Sequence, residues 1–270
     1  MAATGSGLAV ERVIGAMHER LDGALTLDEM AEVAHLSPFH FARLFRDIAG
    51  VPPGAFHTAL RLVEAKRLLL TTEISVTDLC FAVGYRSLGT FTTRFTHLVG
   101  LPPGRLRDRV PDLDIPRTAP QHVAEAAPEP GTGEASTTSA AGALVRGSIA
   151  GNDVTPGPLF VGLFPTSIAQ GRPVIGTLLL APGPYALAGV PDGSYFLVAA
   201  ALPWSGNPLA YLLPNDDERL RIGRSAGPLR VRQGRVSGGC DLVLRPRQPT
   251  DPPLVVALPS LLCARLQGTR

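Results

Sequence analysis

A short pattern occurs twice near the start of the chain, and this internal repeat limits the possible folds more than any other feature of the sequence. Thr26–Ala31 recurs as Ser75–Cys80, at an offset of 49 residues. Each copy begins with a hydroxyl residue that is followed three positions later by a carboxylate, Glu29 or Asp78. That spacing is the pattern of a capping box, which closes the first turn of a helix. The sequence therefore predicts two copies of one helical unit.

The match resumes beyond each short helix, now at an offset of 50 residues. The matched positions in the first copy are Ser37, Phe41, Phe45, Gly50 and Val51–Gly54, and those in the second are Ser87, Phe91, Phe95, Gly100 and Leu101–Gly104. One residue has therefore been inserted in the turn around Gly84–Arg86. Because the insertion falls between two helices, both helical registers stay intact. Each unit is predicted to hold a short helix, a tight turn and a longer helix that begins after a serine.

The longer helix of each unit is predicted to have one buried and one exposed face. Its apolar residues recur at the spacing of one helix face, which predicts burial of Phe41, Leu44, Phe45 and Ile48 in the first unit and of Phe91, Phe95 and Leu98 in the second. A further helix over residues 55–71 separates the units. At about 1.5 Å per residue it would span roughly 25 Å, enough to set two exposed helix faces about one turn of DNA apart.

The exposed sides of these two helices are the candidate binding surface. In a helix-turn-helix unit the second helix enters the major groove of DNA, where small and polar side chains permit a close approach. We predict Arg43 as the leading base contact and Arg46 as the leading phosphate contact. The predicted DNA-contacting residues are Ser37, Phe39, His40, Ala42, Arg43 and Arg46 in the first unit and Arg86, Ser87, Leu88, Gly89, Thr92, Thr93, Arg94 and Thr96 in the second.

Residues 8–109 resemble the DNA-binding domain of the AraC/XylS family of bacterial transcription regulators. The resemblance is carried by Ser37–Gly50, Val83–Tyr85 and Gly100–Pro103, together with the spacing between them. It implies two helix-turn-helix units joined by a long helix. It also implies a cytoplasmic, sequence-specific regulator that binds double-stranded DNA and works with RNA polymerase.

The chain departs from that family's pattern in two ways. The family commonly has an arginine where this sequence has Thr93, and the nearest arginine, Arg94, aligns with Leu44 at the edge of the buried face. We therefore expect the first unit to supply more of the base-specific binding energy. Many family members also carry their effector domain before the DNA-binding domain, whereas here the additional domain follows it.

The second half of the chain is predicted to be a separate all-β domain. Short apolar runs alternate there with glycine, proline, asparagine and aspartate, which is typical of an antiparallel β-sandwich. The runs are 144–145, 159–164, 177–180, 185–190, 195–201, 209–213, 229–231 and 242–244. The stretch Tyr185–Tyr195 resembles transthyretin-like and carboxypeptidase-regulatory-like sandwich modules, which implies roles in folding and interaction. We expect this domain to bind a small-molecule effector or a protein partner.

The predicted fold class is therefore multi-domain. An all-α double helix-turn-helix domain over residues 1–110 precedes an all-β antiparallel sandwich domain over residues 144–262. Residues 111–143 between them are rich in proline, alanine, glycine and serine and poor in large apolar groups. Such a segment buries too little surface to offset its ordering entropy, so we expect a flexible linker.

Charge leaves a second interpretation open. The chain has 25 lysine and arginine residues against 23 acidic ones, and only Lys66 is a lysine. Residues 1–109 are near neutral, with 12 basic and 11 acidic residues, although nucleic-acid-binding domains are usually basic. The alternative is a protein-interaction or enzyme-accessory β-sandwich with a vestigial helix-turn-helix module. The sequence leaves the operator, the direction of regulation, the effector and the oligomeric state undetermined.

The sequence offers no sign of catalysis, of a cofactor or of a metal site. All six histidines precede residue 123, so the β domain has none to serve as a base or a ligand. The three cysteines are widely spaced and form no metal-binding motif. No apolar stretch reaches the roughly 18 residues of a membrane span, and the start of the chain lacks the features of a signal peptide. We therefore expect a cytoplasmic protein that is not an enzyme and does not bind membranes.

Overall fold

The computed structural model describes residues 2–23, 25–109 and 142–257, and its first part is helical. The helices are α1 (Ala2–Glu19), α2 (Leu27–Ala34), α3 (Pro38–Ala49), α4 (Pro53–Thr71), α5 (Val76–Ala82), α6 (Leu88–Val99) and α7 (Pro103–Arg109). Helices α2 and α3 form the first repeated unit, α5 and α6 form the second, and α4 connects them. This arrangement is the one that the repeat predicts.

Hydroxyl residues precede the helices of both units. At α2 the capping box is complete: the Thr26 hydroxyl accepts a hydrogen bond from the Glu29 amide at 3.3 Å, and the Glu29 carboxylate accepts one from the Thr26 amide at 2.7 Å. At α5 the Ser75 hydroxyl accepts from the Asp78 amide at 3.0 Å and donates to the Asp78 carboxylate at 2.7 Å. Ser37 has the extended backbone of a helix cap, but its hydroxyl makes no capping bond. These local bonds define where α2 and α5 begin.

Aromatic side chains from both long helices form the core of the helical part. The four phenylalanines of the predicted stripes are fully buried, which confirms that prediction. The aliphatic residues of the same stripes are half-buried: Leu44, Ile48 and Leu98. Phe45 lies between Phe41 and Phe56 of α4, with ring centroids 5.6 and 5.4 Å apart in edge-on contacts. Such packing holds α3 at a defined angle against the connecting helix.

The second part of the structure is a sheet. The strands are β1 (Ala143–Gly151), β2 (Leu159–Phe164), β3 (Ile175–Leu179), β4 (Pro184–Val190), β5 (Gly193–Ala201), β6 (Arg221–Arg224), β7 (Leu229–Arg232), β8 (Arg235–Ser237) and β9 (Leu242–Pro246). The main path runs β3-β2-β5-β6-β9-β1-β4, and β7 extends from β5 to pair with β8.

The sheet is barrel-like, which corrects the expectation of an antiparallel sandwich. Strands β3 and β4 stand at the two ends of the path and lie against each other. The hydrogen-bonded path between them is continuous, so the domain does not divide into two stacked sheets. Strands β1 and β9 also pair in parallel, so the sheet is mixed. The resemblance of Tyr185–Tyr195 to a sandwich module is not confirmed.

Strands β2 and β5 are buried on both faces, which explains their continuous apolar sequence. Val161 and the residues two positions to either side of it lie in the cluster inside the barrel. Phe160 and Phe164 lie on the other face, in a second apolar cluster to which Tyr211 and Leu254 contribute. The outside of the barrel is therefore covered by chain that follows β5 and β9.

One predicted strand is wrong. Residues Leu209–Leu212 form a single helical turn, α8, which a 3-10 turn over Pro214–Asp216 follows. A short apolar run between two prolines has no periodicity that separates a strand from a helical turn. The predicted linker, residues 111–143, lies outside the described residues except at its end, where Ala143 begins β1.

The helical and β parts contact each other through buried surface. Ile168, Leu212, Val255 and Ala257 belong to the same buried cluster as the core of the helices. The sequence predicts two domains on a tether and carries no sign of this contact.

Candidate nucleic-acid interface

Helix α3 presents most of its predicted contact residues to solvent. Five of the six are exposed: Ser37, Phe39, His40, Arg43 and Arg46. Ala42 is half-buried. The Phe39 side chain is 80% exposed, an arrangement that leaves a large apolar ring uncovered by the protein. Because Phe41 and Phe45 occupy the core, one helix provides both a buried face and an open one.

Helix α6 and the turn before it present a similar surface. The exposed residues of the second unit are Arg86, Ser87, Leu88, Gly89, Thr93 and Arg94. Thr92 and Thr96 are half-buried, and the Thr96 hydroxyl donates to the Thr92 carbonyl at 2.7 Å. This bond satisfies the Thr96 hydroxyl within its own helix. Arg94, which the repeat aligns with Leu44, is exposed where Leu44 is half-buried.

Four arginines on these surfaces have no partner within the described part of the chain. Arg43, Arg46, Arg86 and Arg94 make no ion pair or hydrogen bond with any residue that the structure describes. Arg67, in contrast, pairs with a neighbouring glutamate of α4 at 2.7 Å. A guanidinium without a protein partner keeps its planar set of donors free for a phosphate or a guanine edge.

The inserted turn of the second unit is anchored to the connecting helix by Arg61. The Arg61 Nε donates to the Val83 carbonyl at 2.6 Å, and its guanidinium lies 4.5 Å from the centre of the Tyr85 ring. Burial raises the pKa of the Tyr85 hydroxyl. Gly84 has a φ of +74°, and a Cβ there would lie 2.6 Å from the Asp22 carbonyl oxygen. The turn is therefore packed closely against α4 and the connection between α1 and α2.

One exposed aromatic residue of the second unit is not among the contact residues that the sequence predicts. Phe81 of α5 is 55% exposed, and the repeat aligns it with Glu32 of α2. An aromatic residue at a position where the other copy has a charged one is the signal that could have found it. Phe81 follows Cys80, whose side chain is buried in the core and whose thiol pKa is raised by burial.

The described residues offer no centre for metal chemistry. Within the ranges that the structure describes, no group of three or more histidine, cysteine, aspartate or glutamate side chains could hold a metal ion. Among the same residues, no helix has the length and apolar character that crossing a membrane requires.

Known proteins are similar to the helical part of the chain. Residues 30–109 match the family model described as "Helix-turn-helix domain". The chain is 38% identical over 101 residues to the RCS-specific HTH-type transcriptional activator RclR of Escherichia coli (strain K12). It is 32% identical over 87 residues to the HTH-type transcriptional activator AarP of Providencia stuartii. These matches cover 37% and 32% of this chain but only 36% and 64% of the two relatives, so the chain spans less than two thirds of either.

Two solved structures are also similar. One is an AraC-type transcriptional regulator from Chromobacterium violaceum, at 24% identity over 39% of this chain and 95% of that one, with a TM-score of 0.38. The other is the DNA-binding domain of AdpA, a global transcriptional factor, in complex with a target DNA. It is 26% identical over 38% of this chain and 93% of that one, with a TM-score of 0.37.

Proposed function

We propose that the N-terminal region of this chain, which matches a helix-turn-helix family model over residues 30–109, is an AraC-type DNA-binding domain, and that the chain is a sequence-specific DNA-binding transcription regulator. Helices α3 and α6 read two adjacent major grooves, and the β domain modulates this binding. The observation that carries the proposal is the set of exposed arginines, without partners among the described residues, on two helices whose opposite faces form the core.

The two arginines of α3 have different roles in this proposal. Arg43 contacts the edge of a guanine, because its planar fork matches the two acceptors of that base. Arg46, nearly one turn further along α3, contacts a phosphate and thereby sets the register of the helix in the groove. The exposed ring of Phe39 contacts a thymine methyl group.

The near-neutral charge of residues 1–109 does not count against DNA binding, because the charges are unevenly distributed. The predicted contact residues include four arginines and no aspartate or glutamate. These arginines have no acidic partners among the described residues. The local charge at α3 and α6 is therefore more positive than the total suggests.

Titration of fluorescent operator DNA at several salt concentrations tests the proposal. The operator is first selected from random DNA with the wild-type chain. Arg43→Ala is expected to cost about 1–3 kcal/mol of binding free energy and to relax the base preference at one position of the operator. Arg46→Ala is expected to weaken binding to all sequences alike and to reduce the slope of log affinity against log salt by about 1.

A matched double variant separates these roles from a general effect of charge. Arg230→Ala with Arg232→Ala removes two exposed arginines from β7, and we expect its DNA affinity to equal that of the wild type. Equal affinity of the wild type and the Arg43→Ala, Arg46→Ala double variant would contradict the assignment. Binding that depends on the β7 pair instead would favour the alternative, in which the β domain carries the activity.

RNA polymerase is the second macromolecular partner in this proposal. Run-off transcription from the selected operator, with purified polymerase and increasing amounts of the chain, measures whether transcript yield rises or falls. A chain that binds the operator without changing transcript yield would restrict the proposal to DNA binding.

A further inference from the structure

Besides Leu212 of α8, two segments of the β domain contact the helix-turn-helix domain, and these two are joined to each other. The first is the β2–β3 loop, residues 165–171, and the second is the C-terminal strap, residues 251–257. The amides of Val255 and Val256 both donate to the Ala169 carbonyl, at 2.9 and 3.1 Å. The loop and the strap therefore form one surface, which we call the platform.

Arg224 of β6 reinforces the platform from inside the β domain. Its guanidinium donates to the Ser167 carbonyl in the loop and to the Pro252 carbonyl in the strap. The Arg224 Nε is buried and has no hydrogen-bond partner among the described residues. One side chain thus fixes both segments to the sheet, so the platform moves with the β domain as a unit.

The strap lies between the two domains and packs on both. Leu254 and Val256 belong to the apolar cluster on the outside of the barrel. Val255 and Ala257 belong to the core of the helices. This alternation is that of an extended segment with one face on each domain, so the strap cannot leave the helices without exposing buried apolar surface.

The platform contacts the last turn of α6. The Gly171 amide donates to the Leu98 carbonyl, and the Ala257 amide donates to the Val99 carbonyl at 3.1 Å. The last four carbonyl groups of a helix have no partner within it. Here the β domain supplies partners for two of them, one from the loop and one from the strap.

The platform also contacts the end of α3 and the middle of α4. The Ser167 hydroxyl donates to the carbonyl of Gly50, the residue that ends α3, at 3.0 Å. The Lys66 Nζ, on α4, donates to the carbonyls of Val255 and Val256 at 3.2 and 3.5 Å. Both reading helices and their connecting helix are therefore hydrogen-bonded to one surface.

We propose that the β domain is a brace that positions the two reading helices relative to each other through the platform, and that docking of the brace and binding of DNA favour each other. This inference rests on the proposed function. The contacts hold the C-terminal ends of α3 and α6, whereas Phe39 and Arg43 in the first half of α3 stay exposed. Docking therefore leaves the candidate surface open. If the spacing of the two helices is already fixed, less conformational entropy is lost when DNA binds.

Several basic groups at the contact oppose docking. Burial lowers the pKa of Lys66 to about 7, with Asp216 acting in the opposite direction. Burial also lowers the pKa of Arg247, and both burial and Arg247 lower the pKa of His18, while Glu64 opposes this. Cations in apolar surroundings are costly, so these groups offset part of the stabilisation that the buried apolar residues of the strap supply.

The amine of Lys66 reports whether the brace is docked. Lys66 is the only lysine of the chain and is fully buried. Acetylation of the full chain with sulfosuccinimidyl acetate, followed by mass spectrometry of the peptide that contains Lys66, measures how often the contact opens. Because coupling between two equilibria is reciprocal, we expect saturating operator DNA to slow this acetylation. Acetylation at the same rate with and without bound operator would overturn the proposal.

Val255→Asp opens the brace, because it places a carboxylate in the core of the helices. We expect faster acetylation of Lys66, at least about fivefold weaker operator binding, and reduced discrimination against DNA whose half-sites are shifted by one base pair. The control is Val243→Asp on β9, where the side chain is 70% exposed, and it should change none of the three. Loss of spacing discrimination is the decisive result, since a purely structural defect weakens binding to all spacings alike.

The possible results of these experiments distinguish failure of the brace proposal from failure of the proposed function. Faster acetylation in Val255→Asp with unchanged affinity and spacing preference would overturn the brace while leaving DNA binding intact. A wild type that binds no DNA would overturn the proposed function. If Val255→Asp does not reach the wild-type helix content, Ser167→Ala takes its place, with an expected two- to tenfold faster acetylation, roughly the effect of one hydrogen bond. An unchanged rate in Ser167→Ala would contradict the attachment to α3.

Discussion

Lys66 and Val255 are 189 positions apart in the chain, yet the Lys66 Nζ donates a hydrogen bond to the Val255 carbonyl oxygen at 3.2 Å. Lysine is rarely fully buried without an acidic partner. Here the strap contacts α4 at this residue, and the Lys66 side chain is fully buried. The stability of the helical domain is therefore linked to the docking of the β domain through this contact.

The buried amine of Lys66 predicts a rise in stability at alkaline pH. Burial lowers its pKa from 10.5 to about 7, so between these values the unfolded chain binds more protons than the folded one. The free energy of unfolding should therefore rise with pH in that window, by up to about 1.4 kcal/mol per pH unit, and stay flat with respect to this group below it. Lys66→Met should remove this rise. Urea unfolding of both chains at pH 7, 8 and 9 measures it, and parallel curves would contradict the prediction.

Asp251 predicts a pH dependence of the same sign in acid, where stability falls as the pH is lowered. Burial by itself would raise its pKa, but hydrogen bonds from Arg245 at 2.7 Å and from the Gln248 amide at 2.6 Å lower it below its ordinary value of 3.8. The carboxylate therefore stabilises the fold above that value, and this contribution is lost as the pH falls through the lowered pKa. Asp251→Asn should cost about 1–3 kcal/mol at pH 7 and less at pH 3. Asp153→Asn, at an exposed position, is the control that should cost little at either pH.

Gly84 and Gly50 share a φ of +74° but differ in their surroundings. An alanine at Gly50 meets open space, so it should cost only the strain of the left-handed backbone, about 1–2 kcal/mol. An alanine at Gly84 would also approach the backbone of Asp22, and overpacking of this kind adds about 1–3 kcal/mol. Thermal unfolding of both variants compares them. Equal melting temperatures would show that the turn adapts to the methyl group.

Phe39 lies on the exposed face of α3 and Phe45 on the buried face, so substitutions at these two positions should separate binding from stability. Phe45 is fully buried, and truncation to alanine should cost about 3–5 kcal/mol of folding free energy. Phe39→Ala should change stability by less than about 0.5 kcal/mol and weaken operator binding by roughly 1 kcal/mol. Urea unfolding and DNA titration measure the two effects. A large loss of stability in Phe39→Ala would contradict the assignment of its face.

The helical half was predictable because its signals act over short distances. The capping box joins Thr26 to Glu29, and the buried stripe joins Phe41 to Phe45, so each is visible within a few residues of sequence. The exposure of Arg43 and Arg46 follows from the same helical period. The exposure of Phe81 was not predicted because its helix is short, and a seven-residue segment has too few positions to define a helix face.

The β half was predictable only in part, because strand pairing depends on contacts between residues that are far apart in the sequence. The apolar runs found most strands, but Leu209–Leu212 forms a helical turn, and the short strands β6 and β8 hold too few apolar residues to be seen. The apolar runs also do not show whether the strands form a sandwich of two sheets or a closed barrel, since that depends on the contact of β3 with β4. Alternation along a strand defines its faces and not its neighbours.

By itself, the sequence determined that this protein has two copies of a capped helical unit with arginines on their open sides. The helix caps and the helical period act between near neighbours, and the repeat is found by comparing two stretches of the sequence. Only the tertiary structure decided that the sheet curls into a barrel, that the strap buries Lys66, and that the β domain bonds to the ends of both α3 and α6. Those features join positions such as Gly50 and Ser167, which the folded chain brings together and no periodic pattern relates.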